Sequence, residues 1–254
     1  TVALDASVVL ADPTEIELDL GDGKAVAKRV TTIKRGEGNI TWIGKTDDSV
    51  LPNVVVTVVN GQVAIHVQGK DGATAGHTTG DGTGVRTKVP NGGDIGDEPE
   101  VTPDDGDNEG TVPIDTSAAA PSGTSVVDVL VVYESKTAAA YGNAIQATVQ
   151  NAMDRLNKAL RESLTNVQVR LVKVQQVGDA DLAAIGTQNL TNIMRSQRVT
   201  QLREQYGADL VQGWGVYPSV CGQGYQPSVA TVANARYGYS IINAATSAGR
   251  PVTQ

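Results

Sequence analysis

Phenylalanine is absent from the 254 residues, aromatics amount to 4%, and the chain holds one cysteine and two histidines. Each shortage removes a class of protein. One cysteine excludes a disulfide framework and a zinc site built on thiolates. The two histidines, His66 and His77, are too few for a three-histidine metal site. No apolar run approaches the roughly 18–20 residues of a membrane helix, so no membrane partner is expected. Positive charge is scarce too: 20 Lys and Arg against 28 Asp and Glu leave a net charge of −8. Without surplus cations to neutralise phosphates, nucleic acid is excluded as a partner. Apolar residues make up 40%. With no Phe, the core falls to Val, Ile, Leu and Ala, which beside many Gly and Thr favour strands.

The acidity is concentrated. Asn91 to Asp115 holds nine acidic residues, three Pro and five Gly, with no Lys or Arg. Removing those nine from the 28 acids leaves 19 against 20 bases, so the flanking parts are almost neutral. Such a stretch buries too little apolar surface to offset ordering at about 1–2 kcal/mol per residue, and 91–124 is read as a flexible tether open to proteases. The chain starts at Thr1 and not Met, as after loss of a leader, which permits export.

Residues 1–90 read as a small antiparallel β domain. IELDL (16–20) alternates with period two, and AVAKRVTTIKR (25–35), NITWIGK (39–45) and NVVVTVVNGQVAIHVQGKDG (53–72) follow. Asn60-Gly61 between two apolar runs predicts a two-residue hairpin, since both tolerate positive φ. Beyond the tether the pattern becomes β-α-β. SVVDVLVVY (125–133) is a continuous apolar run, as in a strand buried on both faces. A helix is predicted from about Lys136 to Leu164, with Ile145, Val149, Met153, Leu156, Leu160 and Leu164 on one face. VQVRLVKVQQV (167–177) is a second strand, parallel to the first by the right-handed crossover rule. A helical stretch near Leu190–Gln205 leads to a third strand at 208–217, with shorter segments at 221–225 and 237–243. The expected class is α+β: an antiparallel domain followed by a mixed twisted sheet with a long crossover helix.

Generic catalytic motifs are missing: no P-loop, no G-x-S-x-G and no G-x-G-x-x-G after the first strand. Cys221 has no histidine in its own domain to activate it and is read as a buried or partnerless thiol. Asp47-Asp48 and Asp104-Asp105 are read as solvated loop charges, since no EF-hand pattern surrounds them. His66 is expected in a strand and His77 in a loop.

The order of segments carries more than any one of them. Val127 to Tyr133, a helix bearing Asn157, Leu202 to Val211 (LREQYGADLV), Cys221 to Tyr225 and Tyr239 to Asn243 together resemble the N-terminal part of a metzincin zinc peptidase of the secreted, reprolysin-like bacterial type. Upstream, Trp42-Ile43-Gly44, Val54–Val59 and Asn60-Gly61-Gln62-Val63 resemble that family's propeptide. The resemblance implies a secreted zinc-dependent metalloendopeptidase precursor: propeptide-like domain 1–90, tether 91–124 and partial catalytic domain 125–254. It also implies peptide or protein substrates, extracellular localisation and zinc in intact members. The segment Gly222–Tyr225 would lie beside the cleft and pair with extended substrate, making Gln223, Gly224 and Tyr225 the substrate-binding candidates. Cys221 would pair with a downstream Cys in relatives.

One departure bears on mechanism. The family holds zinc with H-E-x-x-H-x-x-G-x-x-H on a helix following the strand matched by Tyr239–Asn243, its Glu serving as general base. Here the chain runs INAATSAGRPVTQ and holds no such motif. No catalytic residue and no zinc are therefore expected in this chain, and hydrolysis is expected to be absent. Three explanations stay open: a truncated or frameshifted product, a metal helix on a second polypeptide, or a non-catalytic binding or structural protein on a degenerate peptidase scaffold. Residues 1–124 also lack the Cys with which some relatives silence zinc. Sheet surface left without its helix would favour self-association.

Overall fold

The computed structural model describes residues 2–3, 5–19, 23–70, 72–78, 83–90, 123–182, 189–216, 222–226 and 233–244. Cys221 and nearly all of the 91–124 tether lie outside them. The described chain divides into two compact units, one within 1–94 and 138–156, the other within 95–137 and 157–245.

The first unit carries β1 (Val2–Ala3), α1 (Ala6–Leu10), β2 (Glu15–Asp19), β3 (Lys24–Lys34), β4 (Ile40–Thr46), β5 (Val54–Val59), β6 (Gln62–Gly69), β7 (Gly72–Thr78) and β8 (Thr83–Pro90). These strands form one antiparallel sheet in the order β1-β8-β7-β6-β5-β4-β3-β2. Asn60 and Gly61 make the β5–β6 turn at φ 51° and 77°, as the sequence predicts. The sheet curls until Arg86 of β8 donates to the Asp19 carbonyl of β2 at 3.1 Å. β5 is buried along nearly its whole length, so both its faces are covered. Its faces differ in kind. Val54, Val56 and Val58 join Trp42, Val63 and Val67 in an apolar cluster with Val9 of α1. The alternate positions present Thr41, Thr57, Ala64 and His66 to the other side.

The second part contains β9 (Ser125–Tyr133), α2 (Ser135–Tyr141), α3 (Ile145–Glu162), β10 (Val167–Gln176), α4 (Asp179–Leu182), α5 (Asn189–Arg195), α6 (Gln197–Tyr206), β11 (Leu210–Gly215), β12 (Gly222–Gly224) and β13 (Tyr239–Asn243). The sheet order is β10-β9-β11-β13-β12. β9 and β10 are parallel, as expected, as are β9–β11 and β11–β13, while β12 is antiparallel at one edge. Leu130, Val132, Val211 and Ile241 of the sheet pack with Leu182, Leu190, Ile193, Val199 and Leu202 of α4, α5 and α6. Ser196 caps the start of α6 by accepting the Val199 N–H, and Gly207 ends it in the left-handed region at φ 60°.

The predicted helix differs from the observed one. It is interrupted at Gly142, whose φ is +51°, and α3 stops at Glu162. Leu156 is 43% exposed and Leu164 89%, whereas Asn151, Asp154 and Asn157 are buried. The apolar stripe therefore yields in its second half to a polar one, whose partners are described below.

Gly213 of β11 sits beneath the helices. A Cβ there would come within 2.7 Å of Ile193 Cδ1 and 3.0 Å of Leu182 Cδ2. Gly213→Ala is expected to destabilise the second unit by about 1–3 kcal/mol through overpacking. The neighbouring Trp214 is fully buried, so urea unfolding followed by fluorescence in a Trp42→Phe background should shift to lower urea; an unchanged midpoint would contradict the overpacking.

Candidate functional site

In the first unit, helix residues dock on the sheet through polar groups. Asn151 Nδ2 donates to the carbonyls of Val55 (3.0 Å) and Ala64 (3.3 Å) and approaches Thr57 Oγ1 at 3.2 Å. One turn on, Asp154 Oδ2 accepts from Thr41 Oγ1 at 2.6 Å, and Oδ1 takes Gln150 Nε2 at 3.1 Å and the Arg35 guanidinium. Arg35 Nη1 also reaches Thr41 Oγ1 at 2.9 Å, and Thr41 meets Thr57 at 3.1 Å. Burial pushes the Asp154 carboxyl above its ordinary value, while Arg35, Thr41 and Gln150 pull it down. The sequence held one usable signal for this network, polar residues at 151, 154 and 157 interrupting an apolar stripe at three-residue spacing.

In the second unit the quoted motif residues bond to backbone. Asn157 Nδ2 donates to the Val169 carbonyl and its Oδ1 accepts the Val169 N–H, both at 2.7 Å, pinning α3 to β10. Arg203 donates to the carbonyls of Ala208, Asp209 and Ala235. Asp209 Oδ2 accepts the Asp128 N–H at 2.8 Å, and the Asp128 carboxylate takes Arg170 at 2.6 Å on both oxygens, which holds its pKa below the ordinary value. Glu134, just past β9, is 8% exposed and accepts the Val216 N–H beyond β11 at 2.9 Å. Burial raises its pKa.

The predicted substrate-binding residues lie on β12. Gly222 pairs with Ile242, Gln223 with Ile241 and Gly224 with Ser240, and Tyr225 donates its N–H to the Tyr239 carbonyl at 3.5 Å. Antiparallel alternation therefore turns the backbone groups of Gly222 and Gly224 away from β13, where no described strand pairs with them. The Tyr225 side chain packs against the core, lies tilted against Tyr237 with ring centroids 5.3 Å apart and meets Thr191 at 3.4 Å.

His77 is a strand residue of β7 and not the loop residue expected; it faces Ala64, on the same sheet face as His66. Among the described residues no group of three or more His, Cys, Asp or Glu is placed to hold a metal, so the described residues do not fit a catalytic zinc. No described helix is long and apolar enough to cross a membrane.

Residues 146–252 match the sequence profile of reprolysin-like metallopeptidases of family M12B. Residues 146–252 are thus similar to reprolysin-like metallopeptidases. A peptidyl-Asp metalloendopeptidase of Pseudomonas aeruginosa is 35% identical over 125 residues, covering 46% of this chain and 21% of the relative, so the chain spans about a fifth of the length of the curated relative it matches. Metalloproteinase-II from Bacteroides fragilis superposes over 99% of this chain and 83% of its own at 11% identity and a TM-score of 0.48. A chaperone–substrate complex covers 48% of this chain at 17% identity and 0.43, with 21% of its own length matched. The matched segment 146–252 contains nearly all of α3, Asn157, the α6–β11 corner and the β12–β13 pair.

Asp154→Ala strands the Arg35 guanidinium and Thr41 at a nearly closed interface. Because Arg35 is about a third exposed, the expected loss is about 2–3 kcal/mol, below the ~3–5 typical of fully buried pairs. Asp154→Asn, which keeps an acceptor for Thr41, should lose less. Urea melts of both variants read by Trp42 fluorescence check the order.

Proposed function

We propose that the chain is the precursor segment of a secreted zinc metalloendopeptidase: a propeptide-like sheet (1–90), a tether (91–124) and the N-terminal part of the catalytic domain (125–254). The observation that carries this reading is the antiparallel β12 edge beside β13 in an otherwise parallel sheet, within a segment that matches a peptidase family. Extended substrate would add to that edge, meeting the outward backbone of Gly222 and Gly224 with Gln223 between them, while Tyr225 holds the strand onto the core. Proteins and peptides are the proposed substrates. The relative's name points to aspartyl bonds, and the tether, with Asp94, Asp97, Asp104, Asp105, Asp107 and Asp115, is itself of that chemistry.

Zinc, when bound in the family, supplies a Lewis acid and an activated water. The 254 residues contain no H-E-x-x-H, and the described donors do not fit the ion. We therefore assign this polypeptide the scaffold and substrate edge, without hydrolysis of its own.

Two measurements test the reading. Coding DNA read past Gln254 in all frames should show H-E-x-x-H within about 10–20 codons; its absence favours a non-catalytic binding protein. Purified 254-residue chain should leave casein intact and carry no stoichiometric zinc. Casein digestion abolished by a chelator would overturn the assignment.

A further inference from the structure

We propose that the cavity between the β6–β8 face and residues 140–151 is an acid-opened latch: protonation of His77 loosens these helix residues from the strands that hold them. Both histidines of the chain line this one cavity of about 110 Å³, together with Tyr141, Thr148 and Asn151. They sit at diagonal positions of one sheet face, His66 opposite Ala75 and His77 opposite Ala64. The His77 ring lies against Tyr141 with centroids 4.9 Å apart, and one nitrogen bonds the Ala140 carbonyl. Its Nε2 is buried without a hydrogen-bond partner. A neutral imidazole tolerates that position. An imidazolium does not, because its second N–H, at the unpartnered Nε2, and its charge are desolvated together.

Among the described residues the groups facing His77 offer no counter-charge. β6 contributes His66. β8 contributes Val85 and Thr87, α2 contributes Tyr141, and α3 contributes the uncharged Thr148 and Asn151. The nearest carboxylate identified along this face, Asp154, bonds Thr41 on β4 and is already matched by Arg35. β4 lies three strand spacings from β7, roughly 14 Å at ~4.8 Å per strand.

The sign follows from proton uptake. Burial lowers the His77 pKa below its ordinary 6.5, with the Ala140 carbonyl pulling it back up. The opened state therefore binds the proton more readily, and the packing is lost as pH falls below 6.5 toward the lowered value. Asp154 works the other way. Its raised pKa means that acid favours its buried form, so acid lability of this face is not a property of the carboxylate.

Amide exchange of residues 144–154 in the full chain, corrected for intrinsic rates, tests the latch. Protection should fall by up to about tenfold per pH unit as the His77 imidazole titrates. His77→Gln should flatten the dependence. In wild-type protein, the NMR signal of the His77 ring should titrate below 6.5. Protection independent of pH, a His77 signal titrating at or above 6.5, or undiminished acid lability in His77→Gln would each overturn the latch. Should His77→Gln fail to fold, the wild-type titration and exchange profiles decide. Acid release of a propeptide-like sheet rests on the peptidase reading; the exchange experiment does not, so the two fail separately.

Discussion

The docking of Asn151 and Asp154 on the threonine row of the first sheet is the contact on which that unit's helical cover depends. An isolated carboxylate as buried as Asp154, at 1% side-chain exposure, would cost several kcal/mol. It is tolerated because Thr41, Gln150 and Arg35 all reach it. The opposite sheet face, built from Val54, Val56, Val58, Val63 and Val67, supplies non-directional burial that a shifted helix would satisfy nearly as well. The polar face has no such latitude. A one-residue rotation of the helix about its axis, about 100°, would carry Asn151 off the Val55 and Ala64 carbonyls and leave both ends unpaired. Stability comes mainly from the valines, while the helix position is fixed by the threonines, asparagine and aspartate.

A similar division of labour marks the segment similar to reprolysin-like metallopeptidases. Residues that carry the likeness bond to backbone or close a corner. Asn157 substitutes for a strand partner of Val169, Arg203 gathers three carbonyls, Gly207 supplies the left-handed turn, and Asp209 reaches across to Asp128. Asn157 is the hardest of these to replace, because it satisfies the buried amide and carbonyl of Val169, groups whose loss costs about 1–3 kcal/mol each. These residues define a scaffold, and a scaffold does not fix chemistry.

What the sequence made legible follows the range of the interactions involved. Whereas the helical stretch read near Leu190–Gln205 is split at Ser196 into α5 and α6, the Asn60-Gly61 hairpin and the β9 run are set within a few residues, and each is readable from them. The continuous helix from Lys136 to Leu164 is not, because Gly142 takes a left-handed φ that Gly permits without compelling, and because Leu156 loses its place to Asn157. A polar residue wins a buried position only when a partner waits there, and Thr41, Thr57 and the Val169 backbone are remote in sequence from the first two polar positions or hidden behind a turn from the third. His77 escapes for the same reason: a Gly- and Thr-rich stretch looks like a loop until β6 and β8 pair with it.

The β12 edge shows how little a substrate strand would gain from backbone alone. Alternation leaves Gly222 and Gly224 facing outward, with about four donor and acceptor groups between them, one of each per residue. At a net ~0.5–1.5 kcal/mol per hydrogen bond, their sum is no larger than the freedom an extended peptide surrenders on binding. Two glycines also present no side chain to grip, and a Cβ at Gly222 would press to 3.0 Å against the Ile241 carbonyl, so the position resists one. An edge of this kind sets direction and register for an incoming strand. If substrate adds to this edge as proposed, affinity and choice of residue would come from side chains flanking β12.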